Sequence, residues 1–180
     1  MLLKISALID AVNDRVGRGS AWLILVAVII CATNATTRKL FDLSSNAWLE
    51  AQWYLFSAAF LLAAGYTLKY GEHVRVDLLF GRLSRRTQLW IEIVGTILFL
   101  FPFCIITIYL AWPAFVEKLA TGEVSNNPGG LILWPAWALI PLGFVLLALQ
   151  GISELIKRIA ILRGVLPDVA AAADAEAETL

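Results

Sequence analysis

Charge is missing from four long stretches of this 180-residue chain. No Asp, Glu, Lys or Arg occurs between Arg18 and Arg38, from Ala51 to Leu68, from Ile93 to Val116, or from Val124 to Ser153. Soluble domains carry roughly 25% charged and 45–50% apolar residues. Here 16% are charged and 60% hydrophobic, more apolar material than one water-facing core can use. Histidine is nearly absent as well. A lone His73 cannot hold haem between two imidazoles of one chain. Beside Glu72 and without a nucleophile signature, it gives no hydrolytic triad either. The two cysteines, Cys31 and Cys104, lie inside apolar stretches without CxxC spacing, which leaves them as packed or lipid-facing thiols. No GxxxxGK[ST] loop occurs, so the chain does not itself use ATP. Net charge is zero and the isoelectric point near 6.6, so no basic field addresses nucleic acid.

What is present fits lipid. About 20 mostly apolar residues in a helix cross the ~30 Å hydrocarbon layer. The four chargeless stretches predict an all-α integral membrane protein with spans at about 20–37, 48–68, 89–112 and 131–152. The first apolar run follows an 18-residue polar region and exceeds the 7–15 residues of a signal-peptide core, so it reads as a retained span. Trp22, Trp48, Trp90, Trp112 and Trp134 fall at or near span ends, where an amphipathic ring meets both headgroup and acyl chain. Trp53 and Trp137 lie deeper, at depths suited to packing on a neighbouring helix.

Basic residues set orientation, with the excess on the cytoplasmic side. Lys4, Arg15 and Arg18, then Lys69, Arg75, Arg82, Arg85 and Arg86, then Lys157, Arg158 and Arg163 share one side, eleven against the three of Arg38, Lys39 and Lys118. Both termini are therefore expected inside. In the loop between spans two and three, Val76, Leu79, Phe80 and Leu83 repeat with helical spacing, while Asp77 and Arg82 fall elsewhere on the wheel. That pattern predicts a short amphipathic helix in the cytoplasmic interface, or alternatively a downward extension of span three, whose start Ser84 is placed to cap. The third loop is read from Pro113 to Gly130, closing on a Ser-Asn-Asn-Pro-Gly-Gly turn cluster. Pro102 and Pro141 predict kinks. Residues 1–163 form the membrane domain, and the Ala- and acid-rich 164–180 reads as a disordered cytoplasmic tail.

Ionisable residues inside spans are functional candidates. Glu50 and Gln52 open span two, Glu92 lies about one turn into span three, and Gln150 lies near the inner end of span four. None is at mid-depth, where transport sites are built on broken helices. Two readings stay open for Glu50 and Glu92: contact with a partner chain, or an interfacial carboxylate reaching water or a neighbouring Arg or Trp. Thr33, Asn34, Thr36 and Thr37 at the outer end of span one carry a similar pair of readings, hydrogen bonds across helices or interface solvation.

With the spans placed, Trp48-Leu49-Glu50-Ala51-Gln52-Trp53-Tyr54-Leu55-Phe56 followed by Gly71-Glu72-His73-Val74-Arg75-Val76-Asp77 resembles the small permease (Q) subunit of tripartite ATP-independent periplasmic (TRAP) transporters. Asn126-Asn127-Pro128-Gly129-Gly130-Leu131, Trp134-Pro135 and Pro141-Leu142-Gly143-Phe144 are similar to the branch labelled mannitol/chloroaromatic-type. The resemblance covers about residues 10–163. It implies a bacterial or archaeal inner-membrane system in which a large permease subunit carries the substrate and sodium sites. A periplasmic binding protein would deliver an organic acid to it. The small subunit would be a scaffold, holding no cofactor and no catalytic or ion-ligating residue. Its candidate partner contacts are Glu50, Gln52, Trp53 and Glu92, with Val76, Leu79, Phe80 and Leu83 meeting lipid or partner. The competing readings are a self-sufficient homo-oligomeric transporter and a small membrane enzyme or its non-catalytic anchor subunit.

Overall fold

The computed structural model describes residues 1–43, 45–71 and 83–168. Among them the chain is all-helical: α1 (Leu2–Phe41), α2 (Asn46–Tyr70), α3 (Arg85–Gly95), one π-helical turn (Thr96–Leu100), α4 (Phe101–Thr121) and α5 (Trp134–Leu162). Apart from a single antiparallel bridge, Val124 to Ile132, no strand pairing occurs among the described residues. Three units are long and apolar enough to cross a membrane: α1, the continuous rod Arg85–Thr121, and α5. Helix α2, 25 residues long, is not among the three. The interfacial helix expected around Val76, Leu79 and Phe80 lies outside the described residues.

Helix α1 is 40 residues long, about 60 Å at 1.5 Å per residue, twice the hydrocarbon thickness. Its chargeless half corresponds to the expected first span. The polar region before that span is helical too, because it carries a face the bundle buries. Ser6, Asn13, Gly17 and Ser20 are all buried against other helices. The hydroxyls of Thr33, Thr36 and Thr37 donate to carbonyls one turn back in α1 itself, at 2.8–3.0 Å, rather than reaching across to another helix.

Ser84 caps α3 as expected, its Oγ accepting from the Thr87 amide at 3.4 Å. The rod then runs through Pro113, so the third loop starts at Gly122 and not at Pro113. Pro113 costs only one amide donor in a rod whose neighbours on both sides stay helical. Gly122 ends it with φ 62, a backbone state that glycine adopts freely. The π-helical turn lies just ahead of Pro102. Proline offers no amide to the carbonyl of Leu98 four residues back and crowds it, and widening the turn relieves that clash. Helix α5 begins at Trp134, keeps Pro141 inside it, and continues past the expected 152 to Leu162.

Helix α5 is the centre of the bundle, touching α1, α2 and the rod, while α1 also packs along α2. Helix α1 runs antiparallel to α2 and α5, the rod runs antiparallel to α5, and α2 runs parallel to α5. The start of α1, the end of α2, the start of α3 and the end of α5 therefore gather at one end. The end of α1, the start of α2 and the 122–133 loop gather at the other. Mid-bundle packing uses small residues: Ala27, Ala58, Ala59, Cys104 and Gly143 are buried. Cys104 is fully enclosed and Cys31 exposed, both as free thiols.

Candidate functional site

The chain's polar interior is concentrated at the end where both termini of the bundle meet. In α1, Ser6, Asp10, Asn13, Gly17 and Ser20 follow one another at steps of four and three residues, which places them on one helical face. In α5, Gly143, Leu146, Gln150, Ser153 and Lys157 do the same with the opposite phase. The two stripes meet antiparallel. Ser6 Oγ lies 2.7 Å from Ser153 Oγ, and Ser153 Oγ donates to Asp10 Oδ1 at 2.6 Å. Gln150 has no exposed surface. Its Nε2 donates to Asp10 Oδ1 (2.9 Å) and Glu154 Oε1 (3.1 Å), and its Oε1 accepts from Asn13 Nδ2 (3.0 Å). Lys157 pairs with Asp10 and Glu154.

On the other flank of α5, Arg158 Nε sits 2.8 Å from Glu92 Oε2, its Nη1 donates to Thr96 Oγ1 at 3.3 Å, and Glu154 lies 3.9 Å away. Asn13 is equally enclosed, with its Oδ1 turned against Gly65 of α2. A Cβ at Gly65 would stand 2.2 Å from that oxygen. Outside the chargeless part of α1, Asp14 joins α2 through Lys69 Nζ at 2.5 Å. The hydrogen bond from Lys69 holds the Asp14 carboxyl below the usual carboxylate range, against an opposing effect of burial.

At the opposite end, Glu50 of α2 holds the 122–133 loop. Its carboxylate accepts from the Leu131 amide (2.6 Å), Asn127 Nδ2 (2.7 Å) and the Ser125 hydroxyl. Asn46 Nδ2 reaches the Pro128 carbonyl at 3.1 Å, and the Tyr54 hydroxyl the Ile132 carbonyl at 3.3 Å. Backbone bonds from Ser125 to Leu131 and from Leu133 to Glu123, both 2.9 Å, close the loop into a hairpin. Glu50→Gln is expected to loosen this loop, because an amide nitrogen in place of one carboxylate oxygen leaves at least one of the three donors without its acceptor. Amide exchange at Leu131 is the readout; exchange as slow as in the unaltered protein would remove Glu50 as the clasp.

The residues singled out from sequence thus part company. Glu50 and Glu92 are engaged within the chain, one with a loop and one with Arg158. Trp53 is 73% exposed and does not pack into the bundle. With Gln52, Phe56, Ile24 and Val28 it lines an open apolar groove of about 540 Å³ between α1 and α2. Leu83 is exposed just ahead of α3, and Val76, Leu79 and Phe80 lie outside the described residues. Of the expected tail, 164–168 is described, and Asp168 makes a two-point pair with Arg85 at 2.7 and 2.9 Å. Residues 169–180 lie outside. Asn13, Asp10, Ser153 and Arg158 were not selected from sequence. For Asp10, Asn13 and Ser153 the heptad-like spacing of their stripes is a signal present in it, masked because polar residues beyond an apolar run read as solvated.

No curated protein and no solved structure matches this chain. A family model does, that of the tripartite ATP-independent periplasmic transporters, DctQ component, over residues 26–160. That span takes in the Glu50 clasp, the Glu92–Arg158 pair and the buried Gln150. A bundle with three membrane-length helices and a match across most of its length lead to one conclusion: the chain belongs to the DctQ family, the small membrane component of TRAP transporters.

Proposed function

We propose that this chain is the static scaffold of a sodium-coupled TRAP transporter in a bacterial inner membrane. It seats a large permease subunit that carries the solute and the sodium ions, and it holds no cofactor itself. A periplasmic binding protein supplies an organic acid to that permease. Helix α2 is the fourth crossing, and the bundle end that carries both termini faces the cytoplasm. The eleven basic residues in the segments at that end support this orientation.

The observation that carries the reading is the closed middle of the bundle. At Gly143 of α5, a Cβ would stand 2.8 Å from the Leu61 carbonyl oxygen of α2, so the two backbones touch where a solute would have to pass. Most of the buried polar side chains lie towards the terminus-bearing end of the bundle, and beside the Leu61–Gly143 contact the buried residues are Ala58, Ala59, Pro141 and Leu146. Passage therefore belongs to a companion chain. The groove beside Trp53 is the seat assigned to that companion, since a large exposed aromatic ring is the kind of anchor interfaces concentrate on.

The test is extraction in mild detergent followed by affinity purification through this chain. A much larger multi-span protein should co-purify, and Trp53→Ala should reduce its recovery at least tenfold. Liposomes holding this chain alone should take up no solute. Solitary purification together with solute uptake by such liposomes would favour the self-sufficient transporter instead.

A further inference from the structure

Two arginines at the terminus-bearing end share one pocket without joining the ion-pair networks. Arg85 is paired with Asp168 and Arg158 with Glu92, yet among the described residues Arg86 and Arg163 have no intrachain partner. Both are exposed and line one pocket of about 370 Å³ between α3 and α5. The remaining lining is apolar: Trp90, Ile93, Ile159 and Leu162.

The order along each helix matters. On α3, Arg86 comes first, Trp90 lies one turn further towards the bilayer and Ile93 nearly another. On α5, which leaves the bilayer here, Ile159 comes one turn before Arg163. Both helices therefore set a guanidinium at the rim and apolar carbon beneath it. Trp90, 52% exposed, sits at the headgroup level that tryptophan favours. The face then continues into exposed Ile97 and Leu98, as a lipid-contacting surface does. A protein carboxylate would satisfy the arginines but leave that apolar continuation without purpose.

We infer that Arg86 and Arg163 hold the phosphate of one anionic phospholipid of the cytoplasmic leaflet, whose acyl chain runs down over Trp90, Ile93 and Ile159. Planar guanidinium groups match phosphate oxygens in pairs. Basic pockets between helices on the cytoplasmic side are the ordinary setting for anionic headgroups. A zwitterionic lipid offers the same phosphate but brings an ammonium towards two guanidinium groups, so phosphatidylglycerol is preferred to phosphatidylcholine. This site is separate from the α1–α2 groove assigned to the permease and does not depend on that assignment.

The experiment is native mass spectrometry of the chain, extracted from membranes with its partners in mild detergent. It is titrated with phosphatidylglycerol or with phosphatidylcholine of identical acyl chains. One retained phosphatidylglycerol is expected, weakened about fivefold in Arg86→Gln or Arg163→Gln and about 25-fold in the double variant. The Lys-for-Arg double variant keeps the charge but loses the planar two-point match, so its binding should fall between that of the unaltered chain and that of the double Gln variant, and phosphatidylcholine retention should not respond to any of these changes. Both arginines are exposed, so folding is not at stake. Equal retention of the two lipids, or undiminished phosphatidylglycerol on the double Gln variant, would overturn the site. So would displacement by glycerol phosphate at matching concentration, which would make it a site for soluble phosphate, or loss of a co-purifying protein without loss of lipid.

Discussion

Arg158→Leu is expected to destabilise the bundle by about 3–5 kcal/mol, the cost of breaking a buried ion pair by removing one partner. Arg158 is 9% exposed, and its guanidinium lies between Glu92 on α3 and Glu154 on its own helix, with the Thr96 hydroxyl filling a further donor. Leucine would replace the stem but take the Arg158 guanidinium away from the Glu92 carboxylate. The thiol of Cys104, with no exposed surface, supplies a measurement independent of activity. Its modification by a maleimide should accelerate at least a hundredfold, and the melting temperature in detergent should fall. Adding Glu92→Leu should restore a large part of the loss, since an apolar pair of similar volume replaces a charged one without orphaning either partner. A single variant as stable as the unaltered protein would mean that water reaches the pair.

Gly143→Val should be comparably damaging for a different reason. The atoms a side chain would meet there are the Leu61 carbonyl oxygen at 2.8 Å, its Cβ at 2.9 Å and its carbonyl carbon at 3.1 Å. Backbone cannot rotate away as a side-chain tip can, so α2 and α5 must separate. Overpacking of this kind costs about 1–3 kcal/mol and at times more, and valine's γ carbons add to it. Gly19→Val is the matched control, because nothing lies within 4 Å of a Cβ there. Cys104 reactivity should rise for the first variant and stay level for the second. Because the contact also closes the middle of the bundle, the Gly143 variant should lower recovery of the large permease without creating a pathway in liposomes. Appearance of solute flux would contradict the closed-middle reading of this chain.

Much of this architecture is readable from one dimension. Hydrocarbon admits only backbone that bonds itself, so chargeless runs of suitable length predict helices wherever they occur. Three of the four runs correspond to units of membrane-crossing length and hydropathy. The Ser84 cap and the turn after Gly122 are likewise local, because each depends on residues within a few positions. The start of the third loop was misplaced because Pro113 reads as a breaker, although a rod held on both sides tolerates one missing donor.

The pairing of polar groups was not local. Ser6 and Ser153 are 147 positions apart, and nothing along the chain states which rotation α1 and α5 adopt about their axes. Glu92 was identified as an unusual carboxylate, but Arg158 as its partner follows from how the rod leans on α5. Glu50 similarly stood out, while its three donors come from a loop more than seventy positions away. Sequence by itself determined that this chain is helical, lives in lipid and resembles a TRAP small subunit, because solvent demands act on each segment separately. Only tertiary structure decided that Glu50 and Glu92 are engaged within the chain and that α2 and α5 close on each other at Gly143, because those outcomes depend on the relative placement of helices that segment-by-segment chemistry leaves free.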